Sequence, residues 1–323
     1  SVTQQYQGMP EPVTIEYETD ADGVVTGIGY PALDGFDGGW FNYSYDGPTG
    51  LLTDITAPDG RYWDLYRDDI GRIEEFEIDW GETFEYGRTY DEFGRIESMV
   101  AWLDYYREDE HARFEYQSDN DGVIVSATGP DGATTFGFDA MRRLASATCA
   151  GCGIDEAFEY DGRGDPVGTG ITVDALGRLT AANGHTWTFD DAGRVVSRVS
   201  TADGSRVEFQ WDADDNLVMA RTFESGNGSP VHEIRYGYDA LGRRVYREVD
   251  GVRQFFIHDF TDVVMEMNQA GGVDAFYLHE PAMDNPLGMY RDGEWYAVIA
   301  DGLGSIRGLV RLSDRTLVRT WSY

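Results

Sequence analysis

One short phrase recurs along the chain and limits what it can fold into. An aromatic residue or valine, an aspartate, two variable residues, glycine and arginine follow one another, as in YDEFGR at 90–95 and YDALGR at 238–243. With looser copies included, the phrase opens at residues 45, 66, 90, 116, 138, 160, 173, 189, 211 and 238. Most steps between these openings lie between 21 and 27 residues. A period of this size indicates a repeated supersecondary unit.

A second signal lies between the phrases. Asp-Gly pairs at 59–60, 131–132, 203–204 and 250–251 separate runs in which apolar and polar residues alternate. Asp-Gly between alternating runs predicts a β-hairpin with a type I′ turn, since both residues tolerate positive φ. We therefore expect an all-β chain in which antiparallel hairpins stack side by side in one long sheet.

The phrase has a structural interpretation. The aromatic ring ends a strand and packs on the sheet, the aspartate caps the turn, and the glycine takes the left-handed position. The arginine is expected to lie across a neighbouring aromatic ring and to pair with an aspartate of an adjacent unit. The residues assigned to these roles are Tyr90, Asp91, Gly94, Arg95, Phe138, Asp139, Phe189, Asp190, Gly193, Arg194, Tyr238, Asp239, Gly242 and Arg243.

These phrases resemble the YD repeats of the Rhs family. The stretch 295–323 strengthens the likeness, because it resembles the segment that closes an Rhs core. The motif that carries this second likeness consists of Asp301, Leu303, Gly304, Ser305 and Arg307. The resemblance implies a sheet that spirals into a hollow, barrel-like shell, and three segments: N-terminal strands with degenerate repeats (1–44), a repeat sheet (45–260) and a core-associated segment (261–323).

The resemblance also sets limits. In toxin systems of the family the shell encloses a C-terminal effector, and in animal relatives it is a domain of an adhesion receptor. Family shells that enclose a cargo are several times longer, so we do not expect these repeats to close a chamber. The chain stops at Tyr323, where another unit is expected to open. The family's self-cleaving segment lies beyond that point, and the stretch 284–288 is interpreted as a turn.

The charge balance excludes several classes of function. The chain has 59 acidic and 25 basic residues, a net charge of −34, and all of its basic residues are arginine. Such a chain repels nucleic acid and anionic membrane surfaces, so no nucleic-acid partner and no membrane insertion are expected. Without lysine, P-loop and Schiff-base chemistry are also excluded. The acidity favours solubility or a halophilic setting, with cation binding as the alternative.

The sequence offers few catalytic or metal-binding candidates. No zinc-protease spacing of histidines and no hydrolase nucleophile motif is present, so we expect no enzyme activity. Cys149 and Cys152 suggest a local disulfide or two free turn thiols, with redox or metal chemistry as the alternative. Asp119, Asp121, Asp212 and Asp214 are interpreted as turn residues, and weak calcium binding is their alternative role. No other cofactor is expected.

Three functional hypotheses remain. The first is a secreted or surface structural protein, which forms a shell segment or a fibre by head-to-tail stacking of its own copies. The second is the C-terminal part of a toxin-encapsulating Rhs cocoon, whose partners are the flanking parts of a longer Rhs chain. The third is an adhesin for carbohydrate or a cell-surface partner, with Trp40, Trp80 and Trp102 as candidate stacking residues, although core packing also explains them.

Overall fold

The computed structural model describes residues 1–79, 84–103, 107–108, 110–149, 151–280 and 286–321. These residues form 31 β-strands and no helix. The prediction of an all-β chain with long antiparallel sheets is confirmed. The described residues accordingly contain no helix of the length and apolarity needed to cross a membrane.

A 14-stranded sheet holds the N-terminal strands in chain order. It comprises β1 (Val2–Gln4), β2 (Val13–Thr19), β3 (Val25–Tyr30), β4 (Gly39–Tyr45), β5 (Leu52–Thr56), β6 (Tyr62–Arg67), β7 (Ile73–Asp79), β8 (Phe84–Tyr90), β9 (Ile96–Trp102), β10 (Glu110–Ser118), β11 (Ile124–Gly129), β12 (Gly132–Phe138), β13 (Leu144–Cys149) and β14 (Ile154–Ala157). A two-stranded sheet follows, with β15 (Glu159–Tyr160) and β16 (Pro166–Val167).

A 15-stranded sheet holds the remaining strands, again in chain order. It comprises β17 (Thr172–Val173), β18 (Leu179–Ala182), β19 (His185–Phe189), β20 (Val195–Ser200), β21 (Arg206–Trp211), β22 (Leu217–Phe223), β23 (His232–Tyr238), β24 (Arg244–Val249), β25 (Val252–Asp259), β26 (Asp262–Asn268), β27 (Val273–His279), β28 (Pro286–Arg291), β29 (Glu294–Ala300), β30 (Ile306–Arg311) and β31 (Thr316–Thr320).

The phrases lie where strands end. Tyr90 is the last residue of β8, Phe189 of β19 and Tyr238 of β23. At each of these three residues the antiparallel register shifts by one position, which marks a β-bulge. Since a bulge bends its strand and increases the local twist, the repeat places a bend at regular intervals along the sheet.

The Asp-Gly turns differ from the prediction. Asp250 and Gly251 both have positive φ, 50° and 87°, as a type I′ turn requires. In the pairs at 59–60, 131–132 and 203–204 the glycine has positive φ, but the aspartate does not. At 59–60 and 203–204 the glycine lies in a hairpin loop that needs only one residue of positive φ. At 131–132 the loop consists of Pro130 and Asp131, and Gly132 is the first residue of β12.

The chain divides into two compact units. Unit 1 comprises Ser1–Gly137, Ala147–Asp155 and Ile257–Tyr323, and unit 2 comprises Phe138–Ser146 and Glu156–Phe256. The three-segment division expected from the sequence stays a prediction.

Unit 1 has a deep aromatic core. Phe41 and Trp63, from the N-terminal sheet, are fully buried against Phe276 and Trp295 of the C-terminal sheet. The ring centroids of Phe41 and Phe276 are 5.2 Å apart, and those of Trp63 and Trp295 are 5.1 Å apart. Two sheet faces therefore pack against each other within this unit, and aromatic side chains of both faces meet in its core.

Unit 2 has a different pattern of burial. Nearly every residue of β20, β21 and β22 is half-buried, whichever face of the strand it occupies. The fully buried apolar residues in this unit are few, Ala182, Phe223, Val245, Phe255 and Phe256 among those described. A strand covered on one face would alternate between buried and exposed residues, so neither face of this sheet is fully covered.

Candidate functional site

The turn at Asp91 shows the geometry of the phrase. Its Oδ1 accepts the backbone N–H groups of Phe93 and Arg95, each at 2.9 Å, and its Oδ2 accepts Nε of Arg95 at 2.6 Å. The backbone N–H of Gly94 donates to the carbonyl of Asp91 at 2.9 Å, and φ of Gly94 is 83°. One carboxylate thus satisfies two backbone donors and one cation, which holds the hairpin loop in a single conformation.

The same geometry recurs along the chain. The aspartates whose Oδ1 accepts the amides two and four residues later include Asp68, Asp139, Asp174, Asp190, Asp239 and Asp301. The glycine in the left-handed position has φ of 86° at Gly193 and 77° at Gly242. In the phrase at 138–143, Arg142 takes this position with φ of 63°.

The arginine of each phrase pairs mainly within its own turn. Nη2 of Arg143 lies 2.7 Å from Asp139, Nε of Arg194 lies 2.7 Å from Asp190, and Nη2 of Arg243 lies 2.7 Å from Asp239. We expected pairing with an aspartate of the adjacent unit, and Arg194 does also contact Asp215 at 2.9 Å. The hairpin loop brings residues i and i+4 together, so the partner inside the phrase is nearer than one in the next hairpin.

These contacts change the acidity of the turn aspartates. The backbone N–H of Arg194, and after it the side chain of Arg194, lowers the pKa of Asp190. The corresponding groups of Arg143 lower the pKa of Asp139. Hydrogen bonds to the ionised form favour it, so the turns hold their carboxylates charged.

Arginine and aromatic side chains connect successive phrases. Cζ of Arg143 lies 4.4 Å from the ring centroid of Tyr160, and Cζ of Arg178 lies 4.8 Å from that of Phe189. Each aromatic ring opens the phrase that follows the one containing its arginine. The predicted placement of an arginine across a neighbouring aromatic ring is present in both pairs, at cation–π distance.

The structure contains a second link between phrases, which the sequence analysis did not predict. The hydroxyl of Tyr160 donates to the carbonyl of Leu144 at 2.9 Å, and the hydroxyl of Tyr238 donates to that of Leu217 at 2.9 Å. Nε1 of Trp211 donates to the carbonyl of Val195 at 2.8 Å. Each carbonyl belongs to the first residue after the preceding turn. The phrase aromatic therefore fixes the register between neighbouring hairpins as well as covering apolar surface.

The motif at 301–307 forms the same turn as the phrases. Oδ1 of Asp301 accepts the N–H groups of Leu303 and Ser305 at 3.0 Å, and Gly304 has φ of 82°. Arg307 donates to Oδ2 of Asp131 at 2.9 Å. The sequence separation of that pair is 176 residues. This motif therefore joins the first and the last segment of unit 1.

The two cysteines form a disulfide between Cys149 and Cys152. Cys149 is the last residue of β13 and is buried. A Cβ added to Gly132 would lie 3.1 Å from Sγ of Cys149. The disulfide therefore packs directly on the hairpin that precedes it.

The candidate cation ligands lie in turns. Oδ1 of Asp119 accepts the N–H groups of Asp121 and Val123 at 3.0 Å, and Oδ1 of Asp212 accepts those of Asp214 and Asn216 at 2.9 Å. Backbone amides thus occupy one oxygen of Asp119 and of Asp212, as they do in the turns of the phrases. The geometry supports the turn interpretation, and weak calcium binding stays a prediction.

The structure adds a carboxylate cluster that the sequence analysis missed. Glu75, Glu77 and Glu85 each place an oxygen within 4.8 Å of the other two. Arg107 donates to Glu85 at 2.7 Å and also contacts Glu75. Burial, and after it the charges of Glu85 and Glu75, raises the pKa of Glu77 to about 7. Adjacent strands pair Glu77 with Glu85, a register that the sequence pattern did not reveal.

The tryptophan rings proposed for sugar stacking are engaged within the sheet. A Cβ added to Gly29 would lie 3.0 Å from the ring of Trp40, and one added to Gly87 would lie 2.8 Å from the ring of Trp102. Both rings therefore cover a glycine on a neighbouring strand. Trp80 and the residues 284–285 lie outside the described residues. The other residues of the stretch expected to form a turn, 286–288, belong to β28 instead.

The family model of the Teneurin YD-shell matches residues 68–323, well over half of the chain. The chain belongs to this YD-shell family. The predicted relationship to Rhs and YD-repeat proteins is confirmed, and the family gives the chain a structural role as shell.

Curated relatives are Rhs proteins and toxins. The chain is 28% identical over 261 residues to the probable deoxyribonuclease RhsB of Dickeya dadantii, which covers 77% of this chain and 17% of the relative. It is 36% identical over 95 residues to the toxin protein Tse5 of Pseudomonas aeruginosa, which covers 28% of this chain and 7% of the relative. The YD-shell chain thus spans less than a fifth of the length of these relatives.

Solved structures support the fold. The chain resembles the TcdB2-TccC3-Cdc42 crystal structure with a TM-score of 0.59 and 11% identity, over 97% of this chain and 18% of that one. A structure of the Photorhabdus luminescens Tc holotoxin pore matches with the same TM-score and identity, over 97% of this chain and 17% of that one. At this identity the likeness concerns the fold alone.

Proposed function

We propose that this YD-shell chain is a wall segment of a larger β-sheet shell that encloses a toxic polypeptide. In this role the chain helps to enclose the toxic polypeptide and catalyses no reaction itself. The repeats supply a sheet that bends at each phrase, and the turns give the wall an acidic surface. The relatives named as deoxyribonuclease and toxin motivate the choice of cargo, and their greater length motivates flanking shell segments as partners.

One observation carries this proposal. In β20–β22 of unit 2 the residues on both faces of the sheet are half-buried. A sheet of this kind leaves apolar surface such as Trp187 and Trp211 in partial contact with water. Apolar side chains that remain partly accessible on a sheet are a feature of interaction sites. A cargo or a further layer of the shell supplies the missing cover.

The proposal places the protein outside the cell or on its surface. A disulfide at Cys149 and Cys152 fits an oxidising compartment. The net charge of −34 keeps nucleic acid from binding non-specifically to the wall. The location outside the cell and the lack of non-specific nucleic-acid binding are both part of the proposal.

Cryo-electron microscopy of native particles, with hydroxyl-radical footprinting, tests this role. We expect closed particles with interior density, and modification of Trp187 or Trp211 at a rate close to that of Trp63. Trp63 is fully buried in unit 1 and serves as the protected reference, while Phe93, which is 68% exposed, serves as the accessible reference. Open particles in which both tryptophans react like Phe93 contradict the proposal.

A second candidate function is a fibre of stacked copies. The 15-stranded sheet ends at β31, where four of the five residues are exposed. Among the described residues no strand follows β31 in this sheet, and an edge strand recruits further strands through the backbone groups on its outer side. Val318→Lys places a charge on this edge and is expected to abolish filaments. Val231→Lys, at a residue of similar exposure outside any strand, is the control. Filaments that persist in Val318→Lys exclude assembly through this edge.

The adhesin hypothesis stays a prediction. Among its candidate residues, Trp40 and Trp102 pack on glycines of the sheet, which favours their structural interpretation.

A further inference from the structure

A cavity of about 400 Å³ lies within unit 1. Its lining comes from β2, β3 and β4 on one side and from β25, β26, β27 and their flanking residues on the other. Its volume falls in the range of small-molecule sites, which is about 300–1,000 Å³. The shell role does not require this cavity.

Four tyrosines line the cavity: Tyr17, Tyr30, Tyr43 and Tyr45. The hydroxyls of Tyr17 and Tyr45 have partners, the carboxylate of Asp259 at 2.6 Å and the carbonyl of Val25 at 2.8 Å. Tyr30 and Tyr43 are each 6% exposed, and their hydroxyls have no hydrogen-bond partner among the described residues. Both residues line the cavity, and neither hydroxyl oxygen is among the fully buried atoms without a partner, so both hydroxyls are accessible to a ligand in the cavity.

Carboxylates complete the wall. Asp259, Asp262 and Glu280 line the same cavity. Glu280 is 6% exposed, and its Oε1 accepts Nη2 of Arg67 at 3.2 Å. Its Oε2 is buried without a hydrogen-bond partner in the described part of the chain. Burial raises the pKa of Asp259 despite the hydrogen bond from Tyr17.

No lysine or arginine is among the described residues that line the cavity, and His279 is the one basic side chain among them. Nε2 of His279 lies 3.0 Å from the carbonyl of Val263, which assigns the ring proton to Nε2. Nδ1 is buried without a partner among the described residues and is an acceptor in this tautomer. Arg67 forms its ion pair with Glu280, and neither Asp259 nor Asp262 forms an ion pair with an arginine among the described residues.

We propose that this cavity binds an organic ammonium ion. Aromatic rings attract ammonium groups through their faces, and carboxylates nearby add a full negative charge. A primary ammonium donates three hydrogen bonds, and the acceptors for them are Asp259, Glu280 and the unpartnered hydroxyls. The chain contains no lysine, so no lysine side chain of a second copy supplies the group. The ligand is a free amine or quaternary ammonium compound, or a lysine of a different protein.

The chemistry of the wall argues against a metal ion. Calcium takes six to eight oxygen ligands in close array. The cavity instead alternates three carboxylates with four phenol rings and with the apolar side chains of Val25, Ile28 and Val264. Such a lining favours a cation that carries apolar substituents.

Isothermal titration calorimetry of the 323-residue chain with choline chloride tests the proposal. The control ligand is 3,3-dimethyl-1-butanol, which has the shape of choline without its charge. A salt concentration of about 0.15 M suppresses the general attraction of cations to the acidic surface. We expect choline to bind at one site about ten-fold or more tightly than the neutral alcohol. The proposal is overturned if choline binds no more tightly than the neutral alcohol and a primary ammonium compound likewise binds no more tightly than its uncharged analogue.

Two variants locate the site. Asp259→Asn keeps the shape of the wall, removes one charge and is expected to weaken choline binding about ten-fold. Glu97→Gln removes an exposed charge on β9, away from the cavity, and is expected to leave binding unchanged. A similar loss of affinity in both variants means that general electrostatic attraction explains the binding, and it overturns the proposed site.

Two further ligands identify the source of the ammonium group. N-acetyl-lysine methylamide, compared with its norleucine analogue, represents a lysine of a partner protein. Preference for the lysine compound over choline indicates a protein partner, and the reverse preference indicates a small molecule. Calcium chloride that displaces choline stoichiometrically contradicts an organic-cation site.

Discussion

The guanidinium of Arg72 lies over the ring of Tyr90, with its Cζ 4.0 Å from the ring centroid. The hydroxyl of Tyr90 in turn donates to the carbonyl of Ile73, the residue that follows Arg72, at 2.6 Å. Two contacts therefore join the turn at Asp68 to the phrase that opens at Tyr90. The same pair of contacts joins Arg143 and Leu144 to Tyr160 in unit 2.

A double-mutant cycle measures this link. We expect Arg72→Ala and Tyr90→Leu to couple by about 0.5–1 kcal/mol, the range for a cation–π pair at a partly exposed site. Equilibrium unfolding in urea gives the four free energies. Arg72→Ala combined with Tyr160→Leu is the matched control, because those residues belong to different phrase links and their effects are expected to add. Additivity in the first cycle means that the stacking contributes nothing to stability.

The left-handed position of the phrase gives a second prediction. Gly193 has φ of 86°, and a Cβ built on it meets no atom within 4 Å, so Gly193→Ala tests backbone strain alone. We expect it to lower the free energy of unfolding by about 1–2 kcal/mol.

Arg142 occupies the same turn position with φ of 63°, so Arg142→Gly is expected to raise stability by about 0.5–1 kcal/mol. Ala140→Gly, two residues earlier in that turn, is the control and is expected to destabilise, because Ala140 has no positive φ to relieve. Thermal or urea unfolding of Gly193→Ala, Arg142→Gly and Ala140→Gly shows whether each substitution raises or lowers the stability. Destabilisation by Arg142→Gly argues that its side-chain interactions outweigh the strain.

The sequence predicted the hairpins because their determinants are local. Asp91, Gly94 and Arg95 lie within five residues of one another, and their hydrogen bonds close inside the loop. The pairing of Arg95 with Asp91 was predictable on the same ground, since these residues begin and end the five-residue loop between β8 and β9. Our expectation of pairing between adjacent units gave too much weight to the stacking of repeats.

The contacts that close unit 1 were not predictable from the repeat. The hydroxyl of Tyr86 donates to the carbonyl of Ala300, 214 residues away. The cavity likewise brings Tyr17 and Tyr43 beside Asp259 and Glu280. A repeat defines each hairpin and its neighbours, but the packing of one sheet face on another depends on the summed twist of many strands. The residues that make these long-range contacts and line the cavity therefore have no local sequence pattern that marks them.

The carboxylate cluster predicts a specific dependence on pH. The pKa of Glu77 is raised to about 7, above its ordinary value of 4.5, so the folded protein binds a proton more tightly than the unfolded chain. Stability therefore falls as pH rises from about 4.5 to about 7, because folding then holds an unfavourable charge. Glu77→Gln is expected to flatten this decline and to be more stable than the unmodified chain at pH 8.

Urea unfolding at pH 4, 6 and 8 measures the effect. Glu97→Gln, which removes an exposed charge from β9, is the control and is expected to keep the slope of the unmodified chain. If Glu77→Gln and Glu97→Gln show the same slope, the cluster does not hold Glu77 protonated.

The approach of Gly302 to Tyr116 gives the last prediction. The backbone N–H of Gly302 donates to the hydroxyl of Tyr116 at 2.6 Å, and a Cβ added to Gly302 would lie 2.6 Å from Cε2 of that ring. Gly302→Ala is therefore expected to destabilise unit 1 by about 1–3 kcal/mol through overpacking. Gly228→Ala is the matched control, since a Cβ there meets nothing within 4 Å. In a Tyr116→Ala background the clash disappears, and Gly302→Ala is expected to have little further effect. If Gly302→Ala lowers the free energy of unfolding equally in both backgrounds, the strain lies in the turn at Asp301 and not in the contact between Gly302 and Tyr116.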